Sequence, residues 1–292
     1  MNRADSQFKR IALIAKPDDS EQLTDTLHSL NNFLTKQAID VSYDKRAAEV
    51  LQLGGACSLN QLAEKCDLAI VIGGDGTLLS SAREIVDAGI PLLGINLGRL
   101  GFLVDISPDN MLEMLGSVLR GAYEEDQRFL LSCQIGDQPP QLALNDVVLH
   151  KWNVARMIEF ETWVNGSFVD SQRSDGLIIS TPTGSTAYAL SGGGPLLSPS
   201  LDAISLVPIC PHTLSNRPIV VHGDSKFLIS VCGKTDPEHV RVTCDGQASL
   251  CIQAGEGIRV HKHSNAVRLL HPAGHDHYEI LRAKLGWGEL PI

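Results

Sequence analysis

The sequence predicts two structural parts: an α/β N-terminal domain with a Rossmann-like parallel sheet, and a β-rich C-terminal domain. Over the first 120 residues, short apolar runs alternate with apolar residues at helical spacing, which is typical of a parallel sheet covered by helices. After about residue 125, apolar residues recur with a period of two, as in half-buried strands. We expect an α/β domain over 1–125, a β-rich domain over 126–270, and a C-terminal segment over 271–292 that packs back on the N-terminal domain.

Local signals predict the elements of the N-terminal domain. Unbroken apolar runs suit strands that are covered on both faces, and apolar residues three or four apart suit helices. The predicted strands are Ile11 to Ala15, Leu68 to Ile72 and Pro91 to Ile95. The predicted helices carry their apolar residues over Leu23 to Leu34, Leu78 to Val86 and Leu112 to Leu119. Ser107 and Pro108 supply an N-cap and a first-turn proline for the third helix, while Gly89 and Gly121 end the second and third.

The C-terminal domain is predicted to be a set of short strands. Ile158 to Val164 alternates apolar and polar residues, and the Asn165-Gly166 pair that follows predicts a tight hairpin turn. A helix is predicted only near the end, over Tyr278 to Leu285. The further predicted strands are Gly176 to Ser180, Ala203 to Val207, Phe227 to Val231, Val240 to Thr243, Ile258 to His261 and Ala266 to Leu270.

Composition excludes several classes of function. The 34 acidic residues outnumber the 24 Lys and Arg residues, for a formal net charge of −10, which disfavours a protein that coats nucleic acid or anionic membrane. The number of cysteines, 7, is odd, and the sequence contains no Cys-x-x-Cys pair. Both observations indicate reduced thiols. The N-terminus lacks the apolar stretch of a signal peptide. We therefore expect a soluble, cytoplasmic protein without a membrane partner.

The most informative local feature is the turn Gly73-Gly74-Asp75-Gly76-Thr77 between a buried strand and a helix. Glycines let a backbone approach a ligand closely, and a helix N-terminus favours an anion. A carboxylate in such a turn repels phosphate, so Asp75 is a candidate proton acceptor or metal ligand. The alternative is a tight turn in which Asp75 only caps backbone groups.

A second feature is a long polar segment, from Arg173 to Pro195, rich in hydroxyls and glycines around Tyr188. Small donors, exposed amides and an aromatic face are suited to enclosing a polar ligand that contains rings. Considered alone, the segment is more consistent with an ordinary Ser/Thr/Gly loop between strands.

Together, these features resemble the NAD kinases over nearly the whole chain, from about Ile11 to Trp287. The matching motifs, in order, are Gly-Gly-Asp-Gly-Thr at 73–77, Gly-Ile-Asn-x-Gly-x-Leu-Gly-Phe-Leu at 94–103, Asn-Asp at 145–146, and Asp-Gly-x-x-x-Ser-Thr-Pro-Thr-Gly-Ser-Thr-Ala-Tyr at 175–188. Lipid kinases and phosphofructokinases share the first motif, whereas the last one is far more specific.

The resemblance implies that the γ-phosphate of ATP is transferred to the 2′-hydroxyl of the adenosine ribose of NAD, giving NADP. Asp75 would be the general base, and Gly73, Gly74 and Gly76 would cradle the donor phosphates. The remaining positions that match the nucleotide-binding residues of the family are Asn145, Asp146, Arg156, Arg173, Asp175, Thr186, Ala187, Tyr188, Ala189, Leu190, Ser191 and Gln247.

A divalent ion, Mg²⁺ in the first instance, is expected as cofactor because no P-loop lysine is present to neutralise the donor phosphates. The family also implies a homodimer or homotetramer. No metal site is predicted within the protein itself, since no neighbouring cysteine or carboxylate completes a zinc spacing with the candidate ligands His271, His275, Asp276 and His277. Two alternatives are a lipid kinase of the diacylglycerol or sphingosine type, which the net charge disfavours, and an inactive nucleotide-binding regulator, which the intact Asp75 disfavours.

Overall fold

The protein is described by a computed structural model over residues 6–98 and 101–287. Leu100 of the second motif and residues 288–292 of the predicted C-terminal segment lie outside these ranges. The chain divides into two compact units: Met1–Gln127 with Val267–Ile292, and Arg128–Ala266. The first contains a parallel sheet with helices and the second is β-rich and mainly antiparallel, which confirms the predicted fold class. Among the described residues, no helix is long and apolar enough to cross a membrane.

The first unit is built on parallel strands in the order β2-β1-β3-β4. The last residues of a long strand, β16, continue this order by pairing in parallel with β4. The strands are β1 (Arg10–Ala15), β2 (Asp40–Tyr43), β3 (Leu68–Gly73), β4 (Leu92–Asn96) and β16 (Gly257–Pro272). The helices are α1 (Glu21–Lys36), α2 (Lys45–Leu51), α3 (Leu59–Lys65), α4 (Asp75–Ile85), α5 (Met111–Leu119) and α7 (His277–Leu285), with a 3-10 turn at Val86–Ala88.

Burial explains why these elements form where the apolar pattern predicts them. All six residues of β3 are buried, as a strand covered by helices on both faces requires. The four helix-spaced leucines of α1 are fully buried, and the Ser20 hydroxyl caps the helix by accepting a hydrogen bond from the Leu23 N–H. Because β1 and β3 are parallel neighbours, their carboxyl ends reach the same edge of the sheet.

The third predicted helix begins later than the sequence indicates, so the assignment of Ser107 as its N-cap is wrong. Helix α5 starts at Met111 with Asn110 as its N-cap. The Ser107 hydroxyl instead accepts a hydrogen bond from the Asp109 N–H at 3.4 Å, and the Asn110 N–H donates to the Ser107 carbonyl at 3.3 Å. These bonds close a local turn, which competes with helix initiation for the same serine.

The second unit consists of two groups of strands. One is a six-stranded sheet in the order β12-β11-β10-β7-β14-β15. The other contains β16, β13, β8 and β9, with β5 paired to β16 and β6 paired to β5. The strands are β5 (Tyr123–Ile135), β6 (Gln141–Ala143), β7 (Asp146–Lys151), β8 (Ile158–Val164), β9 (Ser167–Ser174), β10 (Gly176–Ser180), β11 (Ala203–Ile209), β12 (Ile219–His222), β13 (Phe227–Val231), β14 (Val240–Cys244) and β15 (Ala248–Cys251). A short helix, α6 (Tyr188–Ser191), follows a 3-10 turn at Thr183–Thr186, and a further 3-10 turn lies at Pro237–His239.

Two features of this unit differ from the sequence-based expectation. The two strands predicted at Ile258 to His261 and Ala266 to Leu270 are one continuous strand, β16. The polar residues 262–265 suggested a break, but β16 remains extended because it pairs with β4, β5 and β13 along its length. Strands β5, β6, β7, β12 and β15 were not predicted from the sequence. The hairpin at Asn165-Gly166 is confirmed, since both residues adopt positive φ, 53° and 80°.

The β8–β9 hairpin provides a test of this packing. Phe160 on β8 is fully buried, whereas Phe168 on β9 is 57 % exposed. We expect Phe160→Ala to lower the free energy of unfolding by about 3–5 kcal/mol, because it leaves a cavity in the core. The matched variant Phe168→Ala should lose about 1 kcal/mol or less. Urea unfolding followed by circular dichroism measures both, and equal losses would contradict the assigned core.

Candidate active site

The glycine-rich turn joins β3 to α4, with Gly74 as the N-cap of the helix. Gly73 packs closely, because a Cβ at this position would lie 2.6 Å from the Thr77 hydroxyl. Gly74 is different: a Cβ there would meet no atom of the described residues within 4 Å. The turn therefore presents open space beside the N-terminus of an 11-residue helix, which is a favourable place for an anion.

The Asp75 carboxylate is held by the segment that follows β4. Oδ2 accepts a hydrogen bond from the Phe102 N–H at 2.9 Å, and Oδ1 accepts from the N–H groups of Leu103 and Val104 at 3.1 and 3.2 Å. Gly101 permits this close approach, since a Cβ on it would come within 2.1 Å of Oδ1. Asp75 is thus anchored to a different segment of the chain, while Gly74 provides no side-chain cap for α4.

Lys16 lies beside this turn, and the sequence analysis did not identify it. It directly follows β1, the parallel neighbour of β3, and a Cβ on Gly73 would lie 3.1 Å from the Lys16 Cβ. The Lys16 ammonium forms an ion pair with Asp18 at 2.5 Å. Its place after a strand at the carboxyl edge of a parallel sheet is the signal that would have found it.

The second unit contains a pocket of about 510 Å³. It is formed by β7 and by residues at or next to the ends of β10, β11 and β14, together with the start of α6. The lining residues are Asn145, Asp146, Val148, His150, Lys151, Asp175, Ala187, Tyr188, Ile209, Thr243, Asp245 and Gly246. Its mixture of carboxylates, an amide, a lysine and an exposed tyrosine suits a ligand with hydroxyls, rings and charge.

Two carboxylates shape the electrostatics of this pocket. Asp245 accepts hydrogen bonds from the N–H groups of Leu144, Asn145 and Asp146, at 3.0, 2.7 and 3.3 Å. Burial raises the pKa of Asp146 to about 7, with a further contribution from the charge of Asp245, while a hydrogen bond from the Tyr188 backbone opposes the shift. Asp146 therefore changes its protonation state near neutral pH.

An ion pair lies at another part of the same pocket. The Lys151 ammonium is 2.7 Å from an Asp175 carboxylate oxygen, and both side chains are about one-third exposed or less, at 31 % and 27 %. Asp175 was singled out from the sequence, but Lys151 and its neighbour His150 were not. Lys151 closes β7, so its position depends on a strand that the sequence did not reveal.

The hydroxyls of the Thr181–Thr186 stretch mainly form hydrogen bonds that fix the conformation of this stretch. Thr181 Oγ1 donates to the Leu144 carbonyl at 2.6 Å, and Ser185 Oγ donates to the Pro182 carbonyl at 2.6 Å. A Cβ on Gly184 would lie 2.1 Å from the Asn145 carbonyl oxygen, so only glycine allows this stretch to pack on Asn145. The buried hydroxyls thereby place Ala187 and Tyr188 at the pocket.

The structure brings together part of the set predicted from the sequence. Asn145, Asp146, Asp175, Ala187 and Tyr188 line the pocket, whereas Gly73, Gly74, Asp75 and Gly76 form the turn in the other unit. The predicted residues outside the pocket lining are Arg156, Arg173, Thr186, Ala189, Leu190, Ser191 and Gln247.

Two of these outlying residues have clear structural surroundings. Arg173 is 63 % exposed and forms an ion pair with Glu159 at 3.1 Å. The Ala189 side chain is buried in a small core with Val148 and Ile178, so only its backbone is available to a ligand.

The raised pKa of Asp146 predicts a pH-dependent stability. The folded protein retains a proton that the unfolded chain releases, so this group lowers stability as the pH rises from about 4 to about 7. The amide that replaces the carboxyl in Asp146→Asn cannot ionise. We therefore expect this variant to be more stable than the wild type by on the order of 3 kcal/mol at pH 8, with the difference shrinking toward zero near pH 4. Urea unfolding at both pH values measures the difference.

The control for this experiment is Asp137→Asn, which changes an exposed carboxylate of the same unit. It should shift stability by no more than about 0.5 kcal/mol at either pH. A gain for Asp146→Asn that is the same at pH 4 and pH 8 would contradict the assigned burial of a titrating carboxyl.

Comparison with known proteins places both units in one family. The ATP-NAD kinase N-terminal domain matches residues 11–123, and the ATP-NAD kinase C-terminal domain matches residues 144–271. NAD kinases of Nitrosococcus oceani and Chromohalobacter salexigens are 47 % and 50 % identical, each over 96 % of this chain and 97 % of the relative.

Solved structures show the same similarity. The yeast NADH kinase complexed with NADH has a TM-score of 0.86 at 23 % identity, covering 99 % of this chain and 93 % of the other. An NAD kinase from Archaeoglobus fulgidus in complex with ATP has a TM-score of 0.75 at 27 % identity, covering 95 % and 97 %. The two domain matches and the relatives identical at about half of their positions establish that the chain belongs to the NAD kinase family.

Proposed function

We propose that this protein transfers the γ-phosphate of ATP to the 2′-hydroxyl of the adenosine ribose of NAD, producing NADP. The observation that carries the proposal is the Asp75 carboxylate, which three backbone N–H groups hold at the start of α4. A fixed carboxylate beside open space for an anion is the arrangement that phosphorylation of a hydroxyl needs. Family membership supports ATP and NAD as the two substrates.

Asp75 is proposed as the general base, and the hydrogen bonds indicate which of its oxygens acts. A carboxylate offers about four acceptor positions, and Oδ1 uses two of them for Leu103 and Val104. Oδ2 accepts only from Phe102 in the described contacts. We therefore assign Oδ2 as the oxygen that accepts the 2′-hydroxyl proton, late in the transfer, when the attacking oxygen has become acidic.

The donor phosphates are proposed to lie on the turn of Gly73, Gly74 and Gly76. The N-terminus of α4 favours their negative charge, and Lys16 supplies a neighbouring cation. Mg²⁺ is proposed as cofactor, since it typically keeps several waters and binds through substrate phosphates and one or two carboxylates. The turn fits this preference because the open space at Gly74 would hold the phosphates that carry the ion, which leaves the Asp75 carboxylate to act as the base. Bound there, Mg²⁺ would neutralise charge on the donor phosphates.

NAD is proposed to bind in the pocket of the second unit. Asn145, Asp146 and Asp175 offer acceptors to ribose hydroxyls, and Tyr188, which is 47 % exposed, offers a face for stacking. Thr186, Ala187, Ala189, Leu190, Ser191, Gln247, Arg156 and Arg173 complete the proposed set. We also propose a homodimer or homotetramer, in which exposed residues such as Arg173 could contact a neighbouring copy of the chain. A cytoplasmic location is proposed as well, and the free state of all seven cysteines supports it.

The cradle is tested by Gly74→Val. Gly74 has an extended backbone, with φ of −120° and ψ of −174°, which valine adopts readily. We therefore expect the melting temperature to change little, while the KM for ATP rises at least tenfold because the side chain occupies the space of the phosphates. Gly54→Val, at another glycine with open space around it, is the control and should keep normal ATP kinetics. Wild-type ATP kinetics in a folded Gly74→Val protein would refute the proposed binding of the donor phosphates at this turn.

The chemistry is tested by Asp75→Asn. Loss of a general base should lower kcat by about two to four orders of magnitude, while NAD binding measured by calorimetry falls much less. In this variant the side-chain N–H group faces a backbone N–H, so two donors oppose each other and one hydrogen bond is lost. We therefore expect a loss of stability of about 1–3 kcal/mol. Activity is therefore compared well below the melting temperature of the variant.

Glu21→Gln is the matched control, because Glu21 holds the same first-turn position in α1 and should leave kcat unchanged. A purely structural Asp75 would give a less stable variant whose kcat stays within about threefold of the wild type, and this result would refute the base assignment. Substantial recovery of kcat at raised Mg²⁺ would instead identify Asp75 as mainly a metal ligand.

A further inference from the structure

A buried cluster of Asp105, His271 and His275 lies in the first unit, next to the segment that holds Asp75. One carboxylate oxygen of Asp105, Oδ2, is 3.0 Å from Nδ1 of His271 and 2.8 Å from Nδ1 of His275. The two imidazole rings stack with centroids 3.8 Å apart. His271 is 1 % exposed, and the Asp105 side chain is 13 % exposed. The sequence did not link the histidines to this carboxylate, because Asp105 is far away along the chain.

The ring geometry of the cluster fits a pair of donors on one carboxylate better than a metal centre. The three ligand atoms lie within 4.8 Å of one another, a spacing that by itself would allow an ion. However, the ring planes are inclined by only 22° at a separation of 3.8 Å. Two rings that are this nearly parallel cannot both direct a nitrogen at one zinc ion at the roughly 2.1 Å that imidazole–zinc bonds require. Two Nδ1–H groups directed at one oxygen fit the same geometry.

The cluster is directly connected to the contacts of the Asp75 carboxylate. Asp105 follows Val104, whose N–H donates to Asp75. On the other side, Ile106 accepts a hydrogen bond from the Asn96 N–H at 2.8 Å, so the segment is also tied to the end of β4. From the C-terminal part of the unit, the Lys284 ammonium lies over the Phe102 ring at 5.6 Å.

We propose that Asp105 is a positioning residue, held by His271 and His275, which fixes the Gly101–Val104 segment and through it the carboxylate of Asp75. Burial alone would raise the pKa of Asp105, but hydrogen bonds and charge from the two histidines outweigh it and lower the pKa to about 2. The carboxylate is therefore ionised at neutral pH and forms charge-assisted hydrogen bonds, which are stronger than neutral ones. The link to catalysis rests on the proposed function, whereas the effect on the segment does not.

The test compares Asp105→Ala, His275→Ala and His275→Asn in the full chain. Asparagine places an N–H donor near the position of the histidine Nδ1, so it should retain the contact that alanine removes. We expect amide hydrogen exchange at Phe102, Leu103 and Val104 to become at least tenfold faster in both alanine variants and to stay within threefold in His275→Asn. We expect kcat to fall at least tenfold in the alanine variants, with the KM for NAD within twofold.

Glu125→Ala is the control for a general loss of stability. It removes the ion pair between Glu125 and Arg268, at 2.7 Å. Arg268 lies on the same strand as His271, but the ion pair includes none of the three cluster residues. The variant should leave exchange at residues 102–104 and kcat unchanged.

Three results would overturn the proposal. The first is unchanged exchange at these amides in the alanine variants, and the second is failure of His275→Asn to preserve protection. The third is a rise in melting temperature with Zn²⁺ for the wild type but not for Asp105→Ala. A wild-type protein that makes no NADP would refute the proposed function, while the exchange data would still decide the role of Asp105.

Discussion

The hydrogen bonds between the Asp75 carboxylate and three consecutive backbone N–H groups are the constraint on which the rest of the candidate site depends. A carboxylate at the start of a helix is normally free to rotate or to cap nearby amides. Here the amides of Phe102, Leu103 and Val104 take three of its acceptor positions and fix its direction. The same bonds would stabilise its negative charge, so catalysis would depend on alignment and on a late proton transfer, as expected for phosphoryl transfer.

The pocket of the second unit is organised by the same physical means, namely a carboxylate that accepts hydrogen bonds from several backbone amides. Asp245 accepts from three consecutive residues that end at Asp146, and this fixes the Asn145-Asp146 pair at the start of β7. The cost is that two carboxyl groups lie close together in a buried place, which raises the pKa of Asp146. Under the proposed function, ionised Asp146 would accept hydrogen bonds from ribose hydroxyls, and NAD binding would then depend on pH near neutrality.

Much of the fold was predictable because the responsible signals are local. The buried runs of β1 and β3, the leucines of α1 and the Asn165-Gly166 turn each fit one element only. The start of α5 was misplaced because Ser107 closes a turn with the residues after it, a competition that residue types alone do not decide. The continuity of β16 was missed because its polar middle is kept extended by partners distant in the chain.

The candidate site was predictable to the extent that family motifs carry it. Asp75, Asn145 and Tyr188 stand in motifs, and the family assignment over the full chain separates NAD kinases from the lipid kinases that share the first motif. Lys16 and Lys151 were not found, because their importance comes from the strand ends on which they stand.

The most direct measurement is an assay of the purified chain with ATP, Mg²⁺ and NAD, in which the product is detected by an NADP-specific dehydrogenase. We expect NADP to accumulate in proportion to enzyme and to time, and omission of any one of the three reagents to abolish it. A folded protein that forms no NADP under these conditions would contradict NAD kinase activity.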